Sequence, residues 1–452
     1  MKAIIMAGGE GTRLRPLTLN TPKPMVRIMD KPMLEYILEL LKQHGIVDIN
    51  LTLMYLPHVI SDYFGNGSDY GVNLTYYKEE TPLGTAGSVK FASQEMDEDF
   101  LVISGDCLTD IDLGAAIRFH EQEKALITIV LKKVEQPYSY GIVVCDAQGR
   151  ITRFMEKPAP SETFTNTANT GIYIVNKRAL SYFEPGVFFD FSKDLFPLLL
   201  QNKERLMGYE ASGYWCDVGD LSAYYTCHQD VLNKKVKVKL KGSLQDKEVI
   251  LGTNALLEIG TTINPPVYIG ENTFVETGAE IGAYSVINAN CVISAKAKVN
   301  GAVVDQGCFV GRNALLDQCL LGQGVKVKTG GKVDQGTVVG EETVIGEHTI
   351  LKPHLKIWPN KMIQDGQLVN KNIINNPGLP PSLFGEKGME GTVGVDFTPE
   401  NIAGLGASLS CLFKNGKIAV AADDSPVSYM AKSALISGIL SGGGSVLDLG
   451  SS

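Results

Sequence analysis

The sequence predicts an α/β domain, then a parallel β-helix, then a partial second α/β segment, and three observations carry that prediction. From Met1 to about Leu232, short apolar runs alternate with helical patterns. From Leu257 to Ile357 an aliphatic residue returns at every sixth position, a period that neither a helix nor an alternating strand has. Beyond Leu383 the six-residue period is gone and helical and strand-like stretches return.

In the first region the strand candidates are Ala3 to Met6, Ile49 to Tyr55, Leu74 to Tyr77, Phe100 to Ser104, Ile127 to Leu131 and Ile172 to Val175. Between the first two, Pro32 to His44 puts Met33, Leu34, Ile37, Leu40 and Leu41 on one helical face, with Pro32 at the first helical position and Gly45 as the stop. Strand, helix and strand in this order imply right-handed crossovers and a mainly parallel sheet, with the ligand site at the carboxyl ends of the strands. The stretch 233–248, NKKVKVKLKGSLQDKE, is polar with basic alternation and reads as a solvated linker with an edge strand. The repeat runs in phase from Leu257 to Val299, slips by one residue to Val304, and slips again from Leu316 to Leu321. Three six-residue faces per turn form a parallel β-helix whose aliphatic residues point inward and stack from coil to coil. About six coils are expected, one open end facing the first domain across the linker. Small outward residues let such prisms pack side by side, so homo-oligomerisation through residues 250–357 is expected. The resulting boundaries are 1–232, 233–248, 249–375 and 376–452.

The 452 residues are too many for one typical core, and 44% hydrophobic with 20% charged residues is ordinary for a globular chain. A net charge of −9 argues against non-specific nucleic-acid binding, because no surplus of cations exists to neutralise phosphates. There is no signal-peptide pattern and no run of apolar residues long enough to span a bilayer, so a cytoplasmic protein without membrane contact is expected. The 8 cysteines are scattered without a C-x-x-C pair and read as buried or partly buried free thiols.

The densest chemistry lies between Gly8 and Pro24, GGEGTRLRPLTLNTPKP, where the first apolar strand ends. Gly8, Gly9 and Gly11 lack a Cβ, so phosphates can approach the main-chain N–H groups beside Thr12, while Arg13, Arg15 and Lys23 add positive charge. No GK followed by Ser or Thr occurs, and Leu14 stands where the dinucleotide pattern needs its third glycine. The stretch resembles instead the signature G-G-x-G-T-R-L-x-P-L-T-x-x-x-P-K-P of sugar-nucleotide pyrophosphorylases. That resemblance implies a Rossmann-like nucleotidyltransferase domain joining a sugar 1-phosphate to an NTP with release of pyrophosphate, and the repeat resembles the left-handed hexapeptide β-helix.

In such a reaction a sugar-phosphate oxygen attacks the α-phosphorus in line, so the catalyst is mainly a charge-neutralising clamp with a divalent metal, Mg²⁺. Asp106, delivered past Gly105 by an apolar strand, and Asp217 in Trp215-Cys216-Asp217-Val218-Gly219, which matches the family element W-x-D-[IV]-G, are the expected metal ligands. The resemblance further implies that Arg13 faces the β and γ phosphates and that Lys23 bridges to the α-phosphate. It assigns Pro82, Gly84 and Thr85 of PLGTAG to base and ribose, with Gly84 admitting a planar base. To the sugar and its phosphate it assigns Tyr140, Gly141, Glu156, Lys157 and Asn169. KVEQPYSYGIVVCD (133–146) and GRITRFMEKP (149–158) look most like mannose-1-phosphate guanylyltransferases, which implies GTP and mannose 1-phosphate. A glucose-1-phosphate uridylyl-, thymidylyl- or adenylyltransferase is the alternative. A catalytically silent nucleotide-sugar-binding homologue is another, and retention of Arg13, Lys23, Asp106, Lys157 and Asp217 speaks against it.

The last stretch resembles the first half of the N-terminal phosphohexomutase domain. The turn that carries Asp-Thr-Arg-x-Ser in that family reads Asp424-Ser425-Pro426-Val427-Ser428, without the arginine, and no Ser-His-Asn-Pro loop follows. No mutase activity is expected from this chain, and a truncation inside a domain is expected at Ser452.

Overall fold

The computed structural model of the chain describes residues 1–245, 248–374, 388–389, 393–394, 397–413 and 416–451. The expectation for 383–387, where the mutase-like resemblance opens, lies outside the described residues.

Strand β1 (Ala3–Met6) runs parallel between β2 (Asp48–Leu53) and β4 (Phe100–Ser104), and β3 (Asn73–Lys78) extends the sheet in parallel beyond β2. Helix α1 (Met33–Gln43) makes the first crossover, burying Leu34, Ile37, Leu38 and Leu41 against this half of the sheet. Pro32 stands one residue before the helix, and Gly45, at φ 75°, leaves it with its N–H bonded to the Lys42 carbonyl.

The other half corrects the expectation of a mainly parallel sheet. After β4 come a short strand β5 (Cys107–Thr109), then β6 (Ile127–Lys133), the hairpin β7 (Gly141–Cys145) and β8 (Ile151–Glu156), and β9 (Thr167–Val175). β9 lies antiparallel to β4, β6 and β7, while β10 (Leu206–Glu210) is parallel to β6. Apolar periodicity shows that a strand is buried; its direction is set by whether the chain returns through a helix or through a hairpin, which the pattern does not encode.

The β-helix has three sheets, each seven strands tall within the repeat, with every strand parallel to its equivalent one coil away. Seven coils replace the six expected. Corner residues take positive φ at the same six-residue interval, for example Asn254, Gly260, Asn272, Gly278, Tyr284 and Asn290. This is the left-handed backbone that Gly and Asn adopt at least cost. The two slips fall at corners: positive φ comes one residue early at Gly301 and at Gln318, so Ile287, Val304 and Leu321 remain stacked partners. The interior is an unbroken aliphatic column from Ile269 to Val369.

Three further expectations change. The β-helix meets the first domain along its flank and not at an open end: the outward residues Tyr268, Val286, Val303, Leu320 and Val338 of one face share a core with Leu14, Ile28, Met33, Tyr36 and Tyr224. Asp30 ties that contact, its carboxylate accepting from the Tyr268 hydroxyl and from the Ala289 N–H. The 233–248 stretch is solvated only in part: Ser243–Gln245 forms the expected edge strand, antiparallel to Val249–Leu251, and most of the described residues are exposed, but Val236 is buried in the same core with Val238 and Leu240 packed on it, and the Lys237 N–H donates to Asp110. Outward residues are not uniformly small either, since the second face presents Leu256, Phe274, Val292, Phe309, Lys326, Val344 and Met362.

In the C-terminal segment, α-helices Pro399–Leu412 and Pro426–Ser441 pair with each other, and the second packs on a two-stranded parallel sheet, Lys417–Ala422 with Ser445–Ser451. Ser425 caps the second helix by accepting from the Ser428 N–H, so the turn that lacks its arginine serves as a helix start. All eight cysteines are free; Cys411 is exposed, against the expectation of burial. No helix among the described residues is long and apolar enough to cross a membrane.

Candidate active site

The carboxyl ends of β1 and β4 open onto a cleft of ≈ 230 Å³ lined by Arg13, Lys23, Asp106, Tyr140, Gly141, Glu156, Lys157, Asn169 and Asp217, among others. Nine of the residues singled out in the sequence thus converge, although they are spread over most of the first domain. Two structural devices bring the aspartates together. Gly105, its N–H on the Met6 carbonyl, turns the chain out of β4 where an added Cβ would crowd that carbonyl at 3.0 Å. β5 then pairs antiparallel with β11 (Trp215–Asp217), setting Asp217 opposite Cys107 and so next to Asp106.

Between the two carboxylates stands the ammonium of Lys23, 2.6 Å from Asp106 Oδ2 and 3.2 Å from Asp217 Oδ1. Burial would push the Lys23 pKa down, but the two aspartates outweigh it and hold it above the ordinary value. Asp217 is raised in turn, by its own burial and then by the like charge of Asp106, with Lys23 and Arg13 offsetting only part. Arg13 lies close by: a Cβ on Gly219 would come 3.1 Å from its Nη2.

The opposite wall is built on the hairpin. Gly141 pairs with Glu156 across it, and an added Cβ would stand 2.7 Å from the Glu156 Oε2, so the glycine makes room for that carboxylate. Burial raises the Glu156 pKa, and the neighbouring Lys157 lowers it in part. Lys157 leaves the strand in the left-handed region, φ 43°, with its N–H on the Tyr140 carbonyl. The Tyr140 hydroxyl is pushed up to about 12, chiefly by burial and then by Asp217, and its ring meets Trp215 edge-on at 5.2 Å. Asn169 sits where the pairing of β9 with β6 is irregular; its Oδ1 accepts from the Gly171 N–H and its Nδ2 donates to the Tyr173 hydroxyl, leaving one amide hydrogen for a ligand.

The residues expected on the nucleotide side, Gly8, Gly9, Gly11, Thr12, Pro82, Gly84 and Thr85, do not line this cleft. Gly9, Thr12, Pro82 and Thr85 are exposed. Gly11 takes φ 64°, and an added Cβ would stand 2.9 Å from the Lys23 Cβ, so the glycine lets Lys23 pack beneath the loop. At Gly84 the side that a side chain would take is occupied by protein: a Cβ there would lie 2.6 Å from the Phe189 carbonyl oxygen, which already accepts from Ala86 and Gly87 at the start of α2 (Gly84–Ala92). The Thr85 hydroxyl donates to Asp190.

Sequence reasoning missed Ser104, Cys107, Ser139 and Ser192 in the cleft and gave neither Thr170, beside Asn169, nor Trp215 a role of its own. Trp215 Nε1 donates to the Thr170 carbonyl and so fixes β11 against β9; its place beside Asp217 was the available signal. Single serines carry none.

Residues 2–234 match the family described as Nucleotidyl transferase, residues 263–374 the GMPPB C-terminal domain, and residues 381–452 the Phosphoglucomutase/phosphomannomutase alpha/beta/alpha domain I. The chain is 36% identical over 347 residues to a UTP–glucose-1-phosphate uridylyltransferase of Synechocystis sp., covering 73% of this chain and 89% of that one. It is 33% identical over 340 residues to a mannose-1-phosphate guanyltransferase of Debaryomyces hansenii and 35% identical over 340 residues to one of Candida albicans, in both cases covering 73% of this chain and 92% of the relative. With its signature loop, its paired aspartates and these relatives, the chain belongs to the nucleotidyl transferase family, as a sugar-1-phosphate nucleotidyltransferase.

Proposed function

We propose that this chain joins mannose 1-phosphate to GTP, forming GDP-mannose and pyrophosphate. The observation that carries the reaction is the convergence of Lys23, Asp106 and Asp217 on one side of a cleft whose other side holds Lys157 and Glu156. Both reactants are anions, so cations on either side of the reacting phosphorus align them and lower their repulsion. Lys157 takes the sugar phosphate, Glu156 and Asn169 accept from and donate to sugar hydroxyls, and Arg13 and Lys23 take the nucleotide phosphates. The attacking oxygen is already ionised, so no side chain has to remove a proton. Two carboxylates served by a single ammonium leave net negative charge, and two oxygen donors suit a divalent cation completed by phosphates and water. Mg²⁺ held by Asp106 and Asp217 would neutralise charge at the α-phosphate.

The sugar and base rest on the likeness of residues 133–146 and 149–158 to mannose-1-phosphate guanylyltransferases and on the Debaryomyces hansenii and Candida albicans relatives. A second reading, uridylyl transfer to glucose 1-phosphate, is favoured by the Synechocystis relative. Pyrophosphate release, measured with Mg²⁺ and the four common NTPs and dTTP against mannose, glucose and N-acetylglucosamine 1-phosphates, separates them. Preference for GTP with mannose 1-phosphate is expected; preference for UTP with glucose 1-phosphate selects the second reading, and no turnover with any pair returns the silent homologue. No phosphomannomutase activity is expected.

The proposal extends to assembly in a cytoplasmic setting. With one face of the β-helix buried against the first domain, a second copy is placed on the face running from Leu256 to Met362. A two-fold axis through Phe309 there sets Leu256 on Met362 and Phe274 on Val344, with Lys326 on Val292 and no like charges opposed. Seven strands about 4.8 Å apart and roughly 17 Å wide cover on the order of 550 Å² per copy, about the minimum for a specific pair. Glu400 is an electrostatic neighbour of Lys326, which makes the C-terminal segment the competing occupant. Light scattering on wild type and Phe309→Glu decides: a wild-type mass near 48.9 kDa refutes the dimer.

A further inference from the structure

Lys23 occupies the position that the proposed reaction requires for a cation. Its Nζ makes hydrogen bonds to both aspartates at once, its side chain is only 9% exposed, and Gly11 lies against its stem. The same Lys23 is the residue expected on the α-phosphate. A divalent ion on the same two carboxylates would stand at contact distance from this ammonium, and two cations held there repel each other, so each weakens the hold of the other.

We propose that Lys23 is an internal counter-cation that is exchanged for the divalent ion: when the ion binds Asp106 and Asp217, the ammonium leaves them and becomes available to the nucleotide phosphates. This rests on the reading of the two aspartates as metal ligands. No bond is made or broken beyond hydrogen bonds and coordination, and no proton has to move. The exchange gives the resting cleft a partly neutralised carboxylate pair and keeps the cation affinity of the nucleotide-free chain low. It also links the two ligands, since a phosphate that receives the displaced ammonium favours cation binding, and cation binding favours the phosphate to the same degree.

The test is the nucleotide-free affinity for Mn²⁺, read by electron paramagnetic resonance on the full chain. Lys23→Met and Lys23→Gln, which remove the competing charge, are expected to bind Mn²⁺ at least about tenfold more tightly than wild type, and Asp217→Asn to lose binding. Equal or weaker binding in both lysine variants, with binding still lost in Asp217→Asn, overturns the exchange and leaves the metal reading standing. Mn²⁺ binding that survives Asp217→Asn overturns the metal reading itself. Should the lysine variants fail to fold, wild-type protein decides. The ¹⁵Nζ resonance of Lys23 is expected to move as Mg²⁺ is titrated in without nucleotide, and a resonance unchanged at saturation overturns the proposal.

Discussion

The cleft and the β-helix interior are both buried, yet they are built on opposite principles. In the β-helix each aliphatic residue of the column stacks on its equivalent one coil away, the buried hydroxyls of Thr273, Ser285 and Thr337 are met by main-chain carbonyls, and replacing one aliphatic residue with another of similar shape changes little. In the cleft the neighbours come from distant segments, Lys23 with Asp106 and Asp217, Gly141 with Glu156, and the contacts are between charges that burial disfavours. The aspartate pair is held in mutual repulsion that Lys23 and Arg13 offset only in part. Such an arrangement stores affinity for charged ligands, whereas the β-helix stores stability. Substitutions in one region should therefore move one property and spare the other.

The sharpest break between the two is expected from Asp106→Asn and Asp217→Asn. Each should lower kcat by about a thousandfold or more, some 4 kcal/mol of transition-state stabilisation, while the melting temperature holds or, for Asp217, rises. Steady-state kinetics beside calorimetry checks this, and a loss of stability matching the loss of rate would show the cleft to be structural. The converse substitution is Ile293→Ala in the aliphatic column. It should cost about 2–5 kcal/mol in denaturant unfolding by leaving a cavity, with KM and kcat per folded molecule unchanged.

Lys157→Ala sharpens the comparison within the cleft. Removal of one charge-assisted contact should raise KM for the sugar phosphate about 10- to 100-fold, or about 1.5–3 kcal/mol, and leave KM for the nucleotide nearly unchanged. A reversed pattern would exchange the two sides of the cleft.

The smallest effect concerns the contact between the regions. His228, on the helix Leu221–Leu232, is buried beside Tyr224 and accepts from the Met29 N–H, and burial depresses its pKa from 6.5 to about 3. The unfolded chain therefore binds a proton below pH 6.5 that the folded chain refuses, so stability is full above pH 6.5 and falls as pH drops toward 3. The expected slope from this group is about 1.4 kcal/mol per pH unit. His228→Gln should remove that slope from urea unfolding measured between pH 4 and 6.5; an unchanged slope would mean that the histidine is protonated in place.

Much of this was legible in the sequence for a physical reason that differs by region. A six-residue period is local, so Leu257 to Ile357 determined the β-helix, its inward column and even the position of both slips, because each corner must turn within one repeat. The signature from Gly8 to Pro24 and the elements around Asp106, Lys157 and Asp217 named the residues that meet in the cleft, since charged groups at strand ends have few purposes other than binding. What the tertiary structure alone decided is how those groups face one another. Strand direction beyond β4 depends on hairpins, the meeting of Asp106 with Asp217 depends on the β5–β11 pairing, and Lys23 reaches both only because Gly11 lets it pack beneath the loop. The alternation in residues 233–248 hid the anchoring of three of its apolar residues for the same reason. Val236, Val238 and Leu240 are covered by a surface formed from two folded bodies, and no pattern within one segment reports what another segment will bring to it.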